Sequence, residues 1–395
     1  MSSPTVAVLF GGRSVEHEVS ILSGHQAMDA LDQAGFPVLP IYITKQGDWY
    51  AGEGLHNLDL YREQTFHAAG LKNVYRVSLS PDRSIRQLVV HPEAGGGLLS
   101  KSPKLWAEVF FPVLHGTHGE DGSLQGLFEL VDVAYAGSGV LASAIAMDKV
   151  MTKRVLEKAG VPMLDCLEVS RAGWEADPDA FAKSVEKKYR YPVMVKPVCL
   201  GSSVGVSRCA DRAGLTDALD LALEIDGRAR VEEALTDFIE INCSVLGPPE
   251  RASACEQPLG YEAVLSFDDK YKHGGKKVGG AKTGAGSAGM AGLRRQIPAQ
   301  IGDALTAEVQ ALAIKAFRAI DASGVVRVDF LYQAASKRLL LNEINTIPGS
   351  LAYYLWEEQG LRFDQLVTTL VQIALDRHES KRATAYSFSA NLLTR

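Results

Sequence analysis

The chain has 395 residues, too many for one ordinary hydrophobic core, so two or three domains are expected. A composition of 46% hydrophobic and 22% charged residues is that of a soluble globular protein, and no apolar run is long enough to cross a bilayer. The net charge of −6 leaves no excess of basic residues to form a face for nucleic acid.

The N-terminus, Met1-Ser2-Ser3-Pro4, lacks the charged and apolar regions of a signal peptide. Residues 6–10 (Val-Ala-Val-Leu-Phe) form a buried-strand run that ends in Gly11-Gly12-Arg13-Ser14. Val19, Leu22, Ala27, Ala30 and Leu31 then follow helical spacing, closed by Gly35 and Pro37, and residues 40–43 read as the next strand. This is a βαβ unit of a doubly wound α/β domain. The Gly11-Gly12 turn departs from the three spaced glycines of a dinucleotide site. Glu16, at the start of the first helix, is either a simple N-terminal cap or a counter-charge for a substrate ammonium group.

Residues 51–104 are polar and turn-rich, consistent with peripheral strands and loops. Residues 109–114 resume as a strand and deliver His115-Gly116-Thr117-His118-Gly119-Glu120-Asp121-Gly122 at its C-terminal end, where open α/β sheets bind ligands. His115 and Glu120 are therefore candidate substrate contacts. Asp148 caps a helix through Ala159, closed by Gly160 and Pro162, and a β-rich segment is expected beyond it, with residues 193–196 its clearest strand. That strand ends in Lys196-Pro197-Val198-Cys199-Leu200-Gly201-Ser202-Ser203-Val204-Gly205, a lysine followed by small residues that can offer backbone N–H groups and hydroxyls to phosphate. The lysine precedes the glycines, so this is not a P-loop, and a plain turn is the simpler alternative. Lys270-Tyr271 opens a stretch with eight glycines between Gly274 and Gly292 and five lysines (270, 272, 276, 277 and 282). It reads as a lid over an anionic substrate or as a surface loop.

Residues 326–330 and 340–345 read as two strands joined by a short polar link at 333–337. Alternation puts Arg327 with Asp329 on one face and Glu343 with Asn345 on one face. If the strands pair, oxygen ligands for a hard cation sit beside an arginine, the donor set that Mg²⁺ shares with phosphate oxygens. A solvated cross-strand charge pair is the alternative, weakened by the otherwise continuous apolar runs that imply burial. The last long helix covers about residues 363–377, and the tail after His378 is polar. The five cysteines (166, 199, 209, 243 and 255) form no Cys-x-x-Cys pair, so a reduced, cytoplasmic protein with structural thiols is expected.

Taken in series, these segments resemble the D-alanine–D-alanine ligase family of the ATP-grasp superfamily: residues 11–20, 115–126, 137–149, 196–205, Lys270-Tyr271, 327–329 and 342–349. The resemblance runs over about residues 5–375. It implies an α/β (α+β) ATP-grasp fold of three domains: a substrate-binding α/β domain (1–138), a small ATP-grasp domain (139–232), and a C-terminal domain (233–395) with the lid and metal site. It further implies ATP-dependent joining of two D-alanine molecules through an acyl phosphate, for peptidoglycan precursor synthesis, by a homodimer.

In that reading Lys149, Lys196 and Lys270 bind ATP phosphates under the Ser202-Ser203 loop. Glu232, Glu233 and Leu235 belong to the adenine hinge, and Glu240 holds the ribose. Asp329, Glu343 and Asn345 match a two-magnesium site that Mn²⁺ can also fill. Arg327 and the Gly349 amide match the oxyanion-stabilising groups, and Glu16, linked to Ser202 and Tyr271, matches the residue holding the first ammonium. The serine that holds the second substrate's carboxylate in many relatives falls here on Tyr354, with Ser350 as an alternative. D-lactate or D-serine as second substrate is a rival that Lys270-Tyr271 disfavours. A non-catalytic ATP-binding protein is a further rival, disfavoured because no metal ligand is lost.

Overall fold

The structure is a computed structural model that describes residues 3–62, 66–85, 87–92, 103–201, 204–259 and 294–384. Three sheets organise these residues. The first contains β1 (Val6–Gly11), β2 (Val38–Ile43), β3 (Trp49–Ala51), β4 (Tyr75–Ser78), β5 (Val89–Val90), β6 (Val109–Pro112) and β7 (Ala134–Tyr135), in the order β5-β4-β3-β2-β1-β6-β7. Its core β2-β1-β6-β7 is parallel, as the βαβ pattern predicts. The run β2-β3-β4-β5 is antiparallel, so the sheet is mixed, and part of the uninformative 51–104 stretch supplies its edge. β1 is fully buried on both faces, which is why it reads as an unbroken apolar run.

The second sheet holds β8 (Cys166–Ser170), β9 (Val193–Pro197), β10 (Ser207–Cys209) and β11 (Arg228–Glu233). The expected β-rich segment is only half right, because the helices Arg171–Ala176, Pro178–Lys188 and Arg212–Ile225 lie within it. The signals were there: Asp177 caps Ala180 with Pro178 in the first turn, and Asp211 caps Gly214. Leu215, Ala218, Leu219, Ala222 and Leu223 then recur at helical spacing and are buried.

The third sheet holds β12 (Ile239–Gly247), β13 (Arg251–Pro258), β14 (Arg295–Gln296), β15 (Gly324–Gln333) and β16 (Arg338–Asn345), in the order β14-β13-β12-β15-β16 and antiparallel throughout. The helix Asp303–Ala319 covers it through Val309, Ala313, Ala316 and Phe317. The last helix runs Phe363–Arg382 and packs Leu366, Val367, Leu370, Val371 and Ala374 into the core of the first sheet. It continues past the expected end near residue 377, where Arg377 donates to the Gly137 and Tyr135 carbonyls and Lys381 pairs with Glu129. Gly324, at φ +79, is what lets β15 approach that sheet, since a Cβ there would lie 2.8 Å from the Gly137 Cα. Among the described residues no helix is long and apolar enough to cross a membrane.

Candidate active site

The two C-terminal strands pair as the sequence suggests. Asp329 lies opposite Glu343 and Arg327 opposite Asn345, with a bulge between Asp329 and Phe330. Continuing across the sheet, Asp329 faces Asn242, and Asn242 faces Glu256. One row of polar groups therefore crosses β13, β12, β15 and β16 on a single face. The buried Arg327 donates Nε to Asp329 Oδ1 at 2.7 Å and Nη2 to Oδ2 at 2.7 Å, a two-pronged pair, and Asn345 Nδ2 donates to Asp329 Oδ2 at 3.0 Å. Burial alone would lower the guanidinium pKa, but Asp329 overrides it and holds Arg327 firmly charged.

Loops of the first sheet meet this row. Glu16 occupies the cap position before the helix His17–Gln33, yet its side chain makes no capping hydrogen bond. Its carboxylate instead faces two glycines, and a Cβ on Gly116 would lie 2.7 Å from Glu16 Oε2 and 2.5 Å from Ser14 Oγ. A Cβ on Gly201 would lie 3.2 Å from the same oxygen. Glu120 accepts the Gly116 N–H at 2.9 Å and the Ile347 N–H at 2.8 Å, tying the first loop to the turn after β16. Burial, with Glu16 nearby, raises its pKa to about 8. His115 binds the Ile347 carbonyl through Nδ1 at 2.8 Å and Ser23 Oγ through Nε2 at 3.1 Å. A carbonyl only accepts, so Nδ1 carries the proton and Nε2 accepts from the serine. Burial lowers the His115 pKa and keeps this neutral tautomer.

Lys149 donates to the Leu200 carbonyl at 2.9 Å. Burial lowers its pKa, while Glu343 is the largest influence opposing that shift. Glu16, Glu120, Lys149, Glu343 and Asn345, from four separate stretches of sequence, line one narrow cleft together with Gly116 and Gly201. With Glu120 held largely protonated at neutral pH, Glu16 and Glu343 set against Lys149 make this cleft a place for cations.

The residues expected to form the adenine hinge do not line this cleft. Lys196 pairs with the buried Glu232, which also meets Arg230 at 3.3 Å. Glu233 turns outward to Arg338 at 2.7 Å. Leu235 packs with Leu164, Leu331 and Leu340, and Glu240 lies in β12 opposite Leu331. Ser202, Ser203, Lys270 and Tyr271, with the glycine- and lysine-rich stretch, lie outside the described residues.

After β16 the chain passes Gly349 and makes three consecutive left-handed residues, Ser350, Leu351 and Ala352, at φ 52, 50 and 51. Each such non-glycine residue costs roughly 1–3 kcal/mol and persists only where its surroundings impose it. Here the Ser350 N–H donates to Ser23 Oγ at 3.0 Å and the Leu351 N–H to the Pro348 carbonyl at 2.8 Å. Ser350 is fully buried against that helix, and its Oγ has no hydrogen-bond partner among the described residues. The turn delivers Tyr354 into a buried setting, its hydroxyl 3.4 Å from Glu256 Oε1. Burial, then Glu256, pushes the Tyr354 pKa up to about 12.

Two profiles of one family match the chain: "D-ala D-ala ligase N-terminus" over residues 5–138 and "D-ala D-ala ligase C-terminus" over residues 155–372. A D-alanine–D-alanine ligase of Natranaerobius thermophilus is 36% identical over 398 residues, covering 98% of this chain and 100% of that one. The chain belongs to the D-alanine–D-alanine ligase family. Among solved structures, the D-alanine–D-alanine ligase of Coxiella burnetii superposes with a TM-score of 0.77 at 27% identity, covering 97% of each chain. A D-Ala:D-Ser ligase of Enterococcus faecalis gives 0.75 at 28% identity, covering 94% of this chain and 99% of that one.

For a member of this ligase family, several buried polar groups around the site carry little signal in the sequence. Ser23 bridges His115 and Ser350 from inside a helix. Ser20 accepts the Gly11 N–H at 2.8 Å and donates to the Val113 carbonyl at 2.5 Å, fixing the first glycine turn. His17 holds the Gly12 carbonyl at 2.6 Å. Glu256 and Arg295, 2.9 Å apart, converge on Tyr354 from different strands. Only the spacing of Ser20 and Ser23 on one helical face hinted at any of them.

Proposed function

We propose that the chain joins two D-alanine molecules at the expense of ATP, forming D-alanyl-D-alanine, ADP and phosphate. The observation that carries this is the single cleft uniting Glu16 and Glu120 with Lys149, Glu343 and Asn345, in a chain of this family. The cleft's acidic groups suit an amino-acid ammonium. Glu16 takes the first ammonium, and Glu120, pinned between the Gly116 and Ile347 amides, adds charge once that cation arrives.

Asp329, Glu343 and Asn345 offer the hard oxygen donors that magnesium or manganese prefers. Asp329 and Glu343 are direct cross-strand neighbours. Among the described residues no group of three His, Cys, Asp or Glu side chains forms a metal site, so phosphate oxygens and water complete the set. Asn345, which now donates to Asp329, turns its amide to present oxygen. When bound, the metal supplies charge neutralisation between a carboxylate and the γ-phosphate.

ATP phosphates lie along Lys149 and Lys196, with adenine against the Glu232–Leu235 hinge and ribose on Glu240. The carboxylate of the first D-alanine attacks the γ-phosphorus, giving an acyl phosphate and ADP. The amine of the second D-alanine, deprotonated, attacks the acyl carbon. Arg327 and the Gly349 amide stabilise the tetrahedral oxyanion, and phosphate leaves. A homodimer, which the resemblance to the ligase family implies, belongs to the same proposal.

The test is phosphate release with D-alanine alone against D-alanine plus D-lactate or D-serine, over roughly pH 6 to 9. Release with D-alanine alone, matched by dipeptide, is expected. Greater turnover with either alternative second substrate contradicts the proposal.

A further inference from the structure

We infer that Arg295 is the cationic anchor for the carboxylate of the second D-alanine, presented beside the oxyanion arginine by Glu256 and Tyr354. The inference rests on the ligase reading above and gives the amine donor a subsite in which Tyr354 stands at the serine position. Arg295 opens β14, beside Pro258 of β13. Its guanidinium lies 3.9 Å from the Tyr354 ring centroid, and its Nη1 donates to Glu256 Oε2 at 2.9 Å. Glu256 is nearly buried and also accepts Asn242 Nδ2 at 3.0 Å. The Tyr354 hydroxyl thus sits in a field set by Arg295, Arg327 and Glu256 together.

Three arguments lead from this arrangement to a carboxylate. The attacking amine must reach the acyl carbon beside Arg327, and an α-amino acid separates its two charged ends by only about 3–4 Å. Its carboxylate anchor must then lie next to Arg327, on the side away from Asp329 and Glu343, whose charges repel it. In the row Glu256–Asn242–Asp329–Glu343, Arg295 stands at the end opposite Glu343. Second, a planar guanidinium with five N–H donors can hold Glu256 and a substrate carboxylate together, which a phenol alone cannot. Third, a buried ion pair adds little to stability by default, because desolvating both partners offsets their attraction. Such a pair stacked on a tyrosine at a substrate turn is more simply explained by recognition.

The experiment is a competition using the full-length enzyme, ATP and magnesium, with D-alanine and D-alaninamide at equal concentration as amine donors. The two products, D-alanyl-D-alanine and D-alanyl-D-alaninamide, are quantified by mass spectrometry. Their ratio does not depend on how much enzyme folded. The wild type favours the carboxylate, and Arg295→Gln is expected to reduce that preference by roughly 10- to 100-fold, the effect of lost charge-assisted hydrogen bonds. Arg295→Met, which keeps an apolar stem against Tyr354 without donors, is the second variant and is expected to behave alike. A role confined to structure lowers both products together, so an unchanged ratio in either active variant overturns the anchor. A wild type that forms no D-alanyl product overturns the ligase reading instead.

Discussion

Glu120 makes the stability of the ligand-free protein depend on pH in a direction opposite to most carboxylates. Its pKa is raised from the model-peptide value of 4.5 to about 8, chiefly by burial. Below about pH 4.5 both folded and unfolded chains carry the proton, and above about pH 8 neither does. Between those limits only the folded chain is protonated, so stability falls as pH rises through the window and the loss is complete above its upper end. A rise of that size corresponds to a ceiling of about 5 kcal/mol. Glu120 keeps part of its surface open to the cleft, which reduces the expected loss to roughly 2–3 kcal/mol. Glu120→Gln removes the titration at a pH-independent cost, because one of the Gly116 and Ile347 N–H groups loses its acceptor. Urea unfolding of both proteins near pH 5.5 and pH 8.5, without ligands, isolates the effect as a difference of differences. The buried histidines, held neutral by burial, cancel in that comparison. Parallel profiles for wild type and variant refute the reasoning.

Glu343→Gln should lower turnover by at least about 10³-fold while moving the melting temperature little; near-normal dipeptide synthesis contradicts the metal assignment. Gly116→Ala forces a left-handed alanine, at φ +75, against Ser14 and Glu16. The displaced carboxylate should reduce kcat/KM for D-alanine by roughly 10²-fold, and an unchanged value removes Glu16 from substrate binding. Arg327→Lys loses the two-pronged contact with Asp329 and should lower kcat by about 10²-fold or more, measured by phosphate release under saturating substrates.

The part of the site carried by local pattern was legible in the sequence. Alternation along β15 and β16 put Arg327, Asp329, Glu343 and Asn345 on one surface, and their register bears this out. The strand ends bearing His115 and Lys196 stood out because apolar runs gave way to glycines. What could not be read depends on distant chain segments meeting. Arg295 reaches Tyr354 and Glu256 through strand pairing across the third sheet, and no spacing in the sequence records that. The left-handed turn at 350–352 contains no glycine or asparagine to announce it, and one of the contacts that hold it, from Ser350 to Ser23, comes from a distant helix. The helices at 178–188 and 212–225 are legible through their caps, whereas the apolar residues around them fit a strand as well as a helix.

The most direct test of the central claim is the stoichiometry of products from the purified chain supplied with ATP, magnesium and D-alanine alone. The account predicts one D-alanyl-D-alanine for each ADP and each phosphate released. ATP hydrolysis without dipeptide, or no ADP formation in a folded protein, contradicts it.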